Sequence, residues 1–369
     1  MNLFRNFKSV TRTCYGRGTF AKLGEILEPH RVPHEGPAPD VERGTFLVFV
    51  VDHYFEDKTE FIRRIPAGPD DELVFIDSRD EPTTELIDGL RDDILKRRGL
   101  PAGIVGIGGG STMDVAKAGA LMFTNEGSSV QYQGLNLIKR PGIYHCGVPT
   151  ISGTGAEVSM TAVLTGPVKK LGLKCDWTIF DQIVLDPDLI ATVPTDQWFY
   201  TGMDTYIHSV EAITGTKKNT FAEAYSEKSL EMCREVFLRR ERSDPKSDEL
   251  LMVASYMGGL SLTYSEVGVC HALSYGLGKV LHIHHCIANC IAFDKLEDVY
   301  GEYVDEFKTM VKERGVHLPQ GLAKEWSEET IDAMAEVAYN LPHMWDHAFG
   351  PDWEKVLDRE RIKGWYRRM

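Results

Sequence analysis

Asp204 and His208 stand four residues apart, and in a helix that spacing sets a carboxylate and an imidazole on one face. His271 and His285 follow, fourteen residues apart, with one helix and a turn at Gly276 and Gly278 expected between them. One carboxylate and three imidazoles form a donor set suited to Fe(II) or Zn(II). An ion held that way polarises an alcohol oxygen. Spacing alone does not choose among neighbours, because His282 and His284 compete with His285. A single Asp–His pair at this spacing is more often structural. His343 and His347 repeat the spacing near the end of the chain but read more readily as surface or capping histidines. His145 lies in a strand-like run with no partner in view.

A second group of residues suits a phosphate. Gly108, Gly109, Gly110 and Ser111 follow an apolar run and open a helix. Glycines let a phosphate approach the backbone, and a helix N-terminus offers N–H donors and the positive end of a dipole. The run is neither GxGxxG nor a P-loop, and by itself it reads equally as a tight strand–helix turn. The stretch 149–157 adds Thr150, Ser152 and Thr154 among glycines, able to hold a pyrophosphate or a nicotinamide ribose, or else to form a polar loop at a sheet edge. Asp52, after the apolar run 46–51, is the kind of acid that bonds a ribose hydroxyl, unless it is an ordinary strand-end residue. In the first role it favours NAD over NADP.

The elements that must position these groups change in texture along the chain. The runs 46–51, 103–107, 144–148 and 183–186 are short and apolar, as strands buried on both faces are. A helical pattern over 84–98 stops at Gly99, and another begins near Ser111. This alternation implies a doubly wound, mostly parallel sheet. From about residue 189 long helical patterns take over, at 195–214, 220–240, 248–263, 269–280 and 287–300, with a charged loop at 239–247. The expected division is an α/β dinucleotide-binding domain over 1–188 and an all-helical, metal-binding domain over 189–369.

Composition narrows the class. The chain has 369 residues, 43% hydrophobic and 26% charged, with a net charge of −14. A balance that acidic speaks against nucleic acid or an anionic membrane surface as a partner, since both call for a basic face. No apolar run reaches the roughly 18 residues of a membrane span. Residues 1–14 lack the apolar core of a secretory signal. The seven cysteines contain no CxxC pair, which suits a reducing, cytoplasmic setting.

Taken together, these motifs resemble the iron-containing alcohol dehydrogenase family over nearly the whole chain. Residues 108–117 are similar to its GGGSxxDxAK, 150–157 to its TTAGTGSE, and 204–208 to its DALTH. Residues 270–274 and 285–289 are similar to AHALSH and HGxANA. The resemblance implies that Asp204, His208, His271 and His285 ligate the metal. It further implies that Gly108 to Ser111, Asp114, Thr150, Ser152, Thr154 and Lys170 meet the nucleotide. A homodimer is expected on the same ground.

Within the family, the closest likeness is to members that oxidise the C8 hydroxyl of 3-deoxy-D-manno-octulosonate (Kdo). It rests on 108–117, 132–134, 149–157, 196–204 and 270–278. That likeness implies a sugar-acid substrate, an aldehyde product and a PLP-dependent aminotransferase acting next, toward 8-amino-Kdo for lipopolysaccharide. Two departures stand out. Tyr275 replaces a histidine common four residues after the third ligand, and Ala156 replaces a serine. Tyr275 is therefore expected to contact substrate or relay a proton. The rival from another class is a dehydroquinate-synthase-like lyase of the same architecture, which uses NAD only transiently. A degenerate, non-catalytic binding protein is the remaining alternative.

Overall fold

The structure, a computed structural model, describes residues 8–33, 42–79 and 81–369. Two compact units emerge: Met1–Ile151 with Ala156–Ile190, and Ser152–Gly155 with Ala191–Met369.

The first unit is built on a six-stranded sheet of β1 (Arg12–Tyr15), β2 (Leu47–Asp52), β3 (Glu72–Ile76), β4 (Gly103–Gly108), β6 (Tyr144–Pro149) and β9 (Gln182–Leu185). The order is β1-β9-β6-β4-β2-β3, and every neighbouring pair is parallel. Strands β4 and β6 are buried throughout, as continuous apolar runs in a covered parallel sheet must be. A smaller sheet of β5 (Gly134–Leu135), β7 (Thr161–Thr165) and β8 (Lys170–Lys174) lies outside the sequence expectation. Short helices α1 (Leu23–Leu27) and α2 (Thr59–Ile62) flank the strands. Helix α3 (Thr84–Arg98) is capped by Thr83, which accepts from the Leu86 amide, and stops at Gly99 with φ of 77°. Helix α4 (Gly110–Met122) packs so closely on β4 that a Cβ at Gly106 would sit 2.8 Å from that of Ala116.

Register fixes what meets at the carboxyl end of the sheet. Val51 pairs with Ile107, and Gly108 with Pro149. Asp52, Gly108 and Thr150 therefore come to one edge, where ligands of open α/β sheets bind. The Thr150 amide donates to the Gly108 carbonyl at 2.9 Å.

The second unit is helical: α5 (Thr195–Thr214), α6 (Thr220–Arg234), α7 (Pro245–Tyr264), α8 (Val269–Leu281), α9 (His285–Phe293), α10 (Glu297–Tyr300), α11 (Glu302–Arg314), α12 (Glu328–Tyr339), α13 (Pro342–Phe349) and α14 (Arg359–Tyr366). Asn219 and Asp244 cap α6 and α7. Helix α5 is the core of the unit, buried without a break from Trp198 to Ala212. A helix buried all round should be apolar, so the polar residues along α5 need another reason to be there.

The turn before His285 is not where the glycines suggested. Helix α8 runs straight through Gly276 and Gly278 and ends at His282, whose φ is 54°. Gly276 serves packing instead: a Cβ there would collide with the Tyr366 hydroxyl and sit 2.7 Å from the Met334 carbonyl. The pattern expected over 287–300 divides into α9 and α10, and α9 begins at His285 itself. Among the described residues, no helix is long and apolar enough to cross a membrane.

Candidate metal centre and nucleotide loop

Helix α5 presents Asp204 and His208 on one face, as their spacing requires. His271 comes from the first turn of α8, and His285 opens α9. From the Asp204 carboxylate, Oδ1 lies 3.6 Å from His208 Nε2, 3.4 Å from His271 Nε2 and 3.9 Å from His285 Nε2. The edge of a tetrahedron with metal–ligand bonds of about 2.1 Å is about 3.4 Å, so these separations suit one ion within the set. Asp204, His208 and His271 are buried, whereas the His285 side chain keeps 28% of its exposure and stands on the open side. His282 and His284 are exposed, which removes them as competitors.

The fit to a cation is also visible in the hydrogen bonding. The Asn289 amide, one turn after His285, donates to Asp204 Oδ1 at 2.7 Å and lies 3.2 Å from both His271 Nε2 and His285 Nε2. An amide has two hydrogens and cannot satisfy three acceptors together with full strength. Lone pairs thus converge where an electrophile belongs. Glu211, one further turn along α5 and buried, adds a second carboxylate and bonds His271 Nδ1.

Electrostatics agree. Burial would raise the Asp204 carboxyl, but His208, His285 and His271 outweigh it and hold it well below the carboxylate range. Burial pulls His208 down to about 4, which leaves its imidazole neutral at pH 7. Burial also lowers His271, but Glu211 and Asp204 prevail and lift it to about 9. The two carboxylates call for positive charge at this point. A divalent ion supplies it with the histidines neutral.

The nucleotide candidates divide between the two units. Gly109 is the extended residue before α4, and among the described residues no side chain caps that helix. Asp52 accepts from the Tyr54 amide at 2.9 Å and the Ser78 hydroxyl at 2.8 Å. Thr150 is buried at the sheet edge. Ser152 and Thr154, by contrast, belong with the helical unit. There the loop is clamped: the Gly153 amide donates to Ser255 at 2.8 Å, and Thr205 donates to the Gly153 carbonyl at 2.7 Å. Gly153 is needed because a Cβ would run into the Thr201 carbonyl.

Two residues of the expected nucleotide set are engaged elsewhere. Asp114 accepts from the Val163 amide at 3.0 Å and pairs with the buried Lys117 at 3.2 Å. Lys117 in turn donates to the Ala156 carbonyl at 2.8 Å and the Ser159 hydroxyl at 3.1 Å. The two thus tie α4 to the segment after the glycine loop. Lys170 stands on β8 and pairs with Glu81 at 2.5 Å.

Tyr275, one turn after His271, meets the His285 ring edge-on with centroids 6.0 Å apart. His347 is buried rather than at the surface, and its Nε2 bonds the Glu211 carbonyl at 2.9 Å. His145 stands 3.1 Å from Asp181. Sequence reasoning passed over Asn289, Thr205 and Glu211. The signal for Glu211 was present, since Asp204, His208 and Glu211 follow the i, i+4, i+7 stripe of one helix face.

Comparison with known proteins accords with this geometry. Residues 41–187 match the iron-containing alcohol dehydrogenase family, and residues 198–344 match the C-terminal part of the Fe-containing alcohol dehydrogenase family. The NAD-dependent methanol dehydrogenase of Bacillus methanolicus is 27% identical over 94% of this chain and 87% of its own length. The sulfoacetaldehyde reductase of Bilophila wadsworthia is 26% identical, over 61% of this chain and 58% of its own. Among solved structures, a 1,3-propanediol oxidoreductase superposes with a TM-score of 0.81 at 19% identity, covering 99% of each chain. The Bifidobacterium kashiwanohense sulfoacetaldehyde reductase, solved with NAD+, superposes at 0.78 with 20% identity, covering 99% of this chain and 98% of that one. Those two likenesses establish the fold. Fe(II) and NAD fit the family and the donor set found here. With both of its units matched, the chain belongs to the iron-containing alcohol dehydrogenase family.

Proposed function

We propose that this chain oxidises a primary alcohol to an aldehyde, passing a hydride to NAD+ and releasing a proton. Asp204, His208, His271 and His285 hold the divalent ion, Fe(II) in preference to Zn(II). When bound, the ion acts as a Lewis acid that makes an alcohol easier to deprotonate at neutral pH. The observation that carries this reading is the convergence of three buried donor groups, Asp204, His208 and His271, whose ligand atoms all lie within 4.8 Å of one another.

The remaining residues orient and bind. Gly108 to Ser111 take the pyrophosphate at the α4 N-terminus, and Asp52 takes a ribose hydroxyl, which favours NAD over NADP. The loop carrying Ser152 and Thr154 holds the nicotinamide side, and its bond to Thr205 ties it to the residue next to Asp204. Lys170 remains a nucleotide candidate through its end of β8.

The substrate we propose is Kdo, oxidised at C8, with a PLP-dependent aminotransferase consuming the aldehyde in the cytoplasm and a homodimer as the working form. Support comes from the shared sequence words and from Tyr275, which offers a phenol and an aromatic wall beside His285. Such a wall suits the ring face and hydroxyls of a sugar acid. The second reading is another small alcohol or polyol, favoured by the methanol and propanediol chemistry in the names of similar proteins. Metal-reconstituted protein is to be offered Kdo, other sugar acids and short alcohols, with NADH and oxygen followed together. NADH formation greatest with Kdo supports the first reading. Turnover of short alcohols alone supports the second.

A further inference from the structure

We infer that Glu211 is the positioning residue that sets His271 as a metal ligand, and that Tyr300 holds Glu211 in that task. The inference rests on the metal-centre reading above.

Glu211 lies seven residues after Asp204 on α5 and is buried. One of its oxygens, Oε2, bonds His271 Nδ1 at 2.5 Å. The other, Oε1, accepts from the Cys270 amide at 2.8 Å and from the Tyr300 hydroxyl at 2.8 Å, and lies 3.4 Å from the His271 amide. A single carboxylate therefore grips the backbone at the start of α8 and the side chain that the helix presents. A negative charge is also favoured at that N-terminus. Tyr300, at the end of α10, completes the arrangement, accepting from the Val269 amide at 3.1 Å.

A carboxylate is an acceptor only. It therefore keeps the hydrogen of His271 on Nδ1 and leaves the lone pair on Nε2, the atom 3.4 Å from Asp204. Carboxylate–histidine pairs of this kind fix ring orientation and raise ligand basicity. His208 has no such device among the described residues, where its buried Nδ1 meets no hydrogen-bond partner. Charge is consistent too: Asp204 and Glu211 together balance one divalent cation.

The substitution Glu211→Gln is informative because an amide cannot serve both sides. With its oxygen toward His271, its NH2 meets the Cys270 amide as donor against donor. Turned over, its NH2 faces Nδ1 and drives the imidazole hydrogen to Nε2, blocking the ligand atom.

The test is a titration of metal-free protein with Co(II), an absorbing substitute for Fe(II), on parent, Glu211→Gln and Tyr300→Phe, with thermal unfolding in parallel. Glu211→Gln should bind Co(II) about 10–100-fold more weakly, with an altered ligand-field spectrum. Tyr300→Phe keeps the carboxylate and should lose about 2–10-fold. If folded Glu211→Gln binds Co(II) with the parent's affinity and spectrum, Glu211 only caps α8 and the inference is overturned. If that variant does not fold, Tyr300→Phe decides, with unchanged affinity overturning the inference. A parent that binds no Co(II) would instead sink the metal-centre reading on which both rest.

Discussion

The Thr205 hydroxyl donates to the Gly153 carbonyl at 2.7 Å, and Thr205 is the residue next to Asp204. The loop that the family resemblance gives to the nucleotide is thus fastened to the helix that carries Asp204 and His208, two of the four proposed metal ligands. Hydride transfer needs its reacting atoms held about 3–3.5 Å apart and aligned, so this bond has a mechanistic reading. Thr205→Val keeps the shape and removes the bond. Its expected effect is a higher KM for NAD and a roughly two- to twelve-fold loss in kcat/KM, with metal content unchanged. Metal analysis beside steady-state kinetics checks it. Parent kinetics would make the bond a packing detail.

Asp114 is expected to act on stability. Its carboxylate faces Lys117, whose side chain is fully buried. Asp114→Asn takes from that ammonium the carboxylate it pairs with, a loss of about 3–5 kcal/mol for a buried pair, softened by Glu157 and by the carbonyl of Ala156. Thermal unfolding should shift down clearly, while the folded variant binds NAD as the parent does. A large loss of NAD affinity at unchanged stability would restore Asp114 to the nucleotide set.

Much of this site was legible in the sequence, for reasons that differ by residue. The stretches Thr84–Arg98 and Thr195–Thr214 were readable because helical periodicity is sustained and a glycine follows each. Asp204 and His208 were readable because one helix fixes their spacing. The turn before His285 was not, since Gly276 answers to Tyr366, ninety residues away in sequence. The partition of 149–157 was hidden for a similar reason: its glycines look alike, yet Gly153 answers to the Thr201 backbone in the helical unit. Asp114 shows the limit of a motif, which records which residues recur and not whether they touch ligand or structure: here its carboxylate pairs with Lys117.

Gly109 has an ordinary extended backbone, with φ of −85°, so a side chain there is sterically costly without being conformationally forbidden. A Cβ would sit 2.8 Å from the end of the Ile151 side chain, which can yield. Gly109→Val should therefore fold and weaken NAD binding by about tenfold or more, because the branch intrudes where phosphate must approach the α4 N-terminus. Calorimetric titration with NAD measures this. Undiminished affinity would remove the glycine turn from the binding site.

Tyr275→Phe isolates the phenol from the aromatic wall. Metal and NAD binding should be retained, and turnover of Kdo should fall roughly two- to twelve-fold, as for one hydrogen bond of about 0.5–1.5 kcal/mol. Turnover of short alcohols should not change. Equal behaviour of variant and parent on both substrates would leave Tyr275 as packing against His285.

In the proposed centre four residues hold one ion, and oxidation depends on it. The direct measurement is NADH formation from alcohol and NAD+ as Fe(II) is added back stepwise to metal-free protein, for the parent and His271→Ala. Parent activity should rise in proportion to bound metal and saturate at one ion per chain. His271→Ala should lose metal and turnover together, while His343→Ala follows the parent. Full turnover by the metal-free parent, or by His271→Ala with undiminished metal, would rule out an ion held by these residues as the catalytic group.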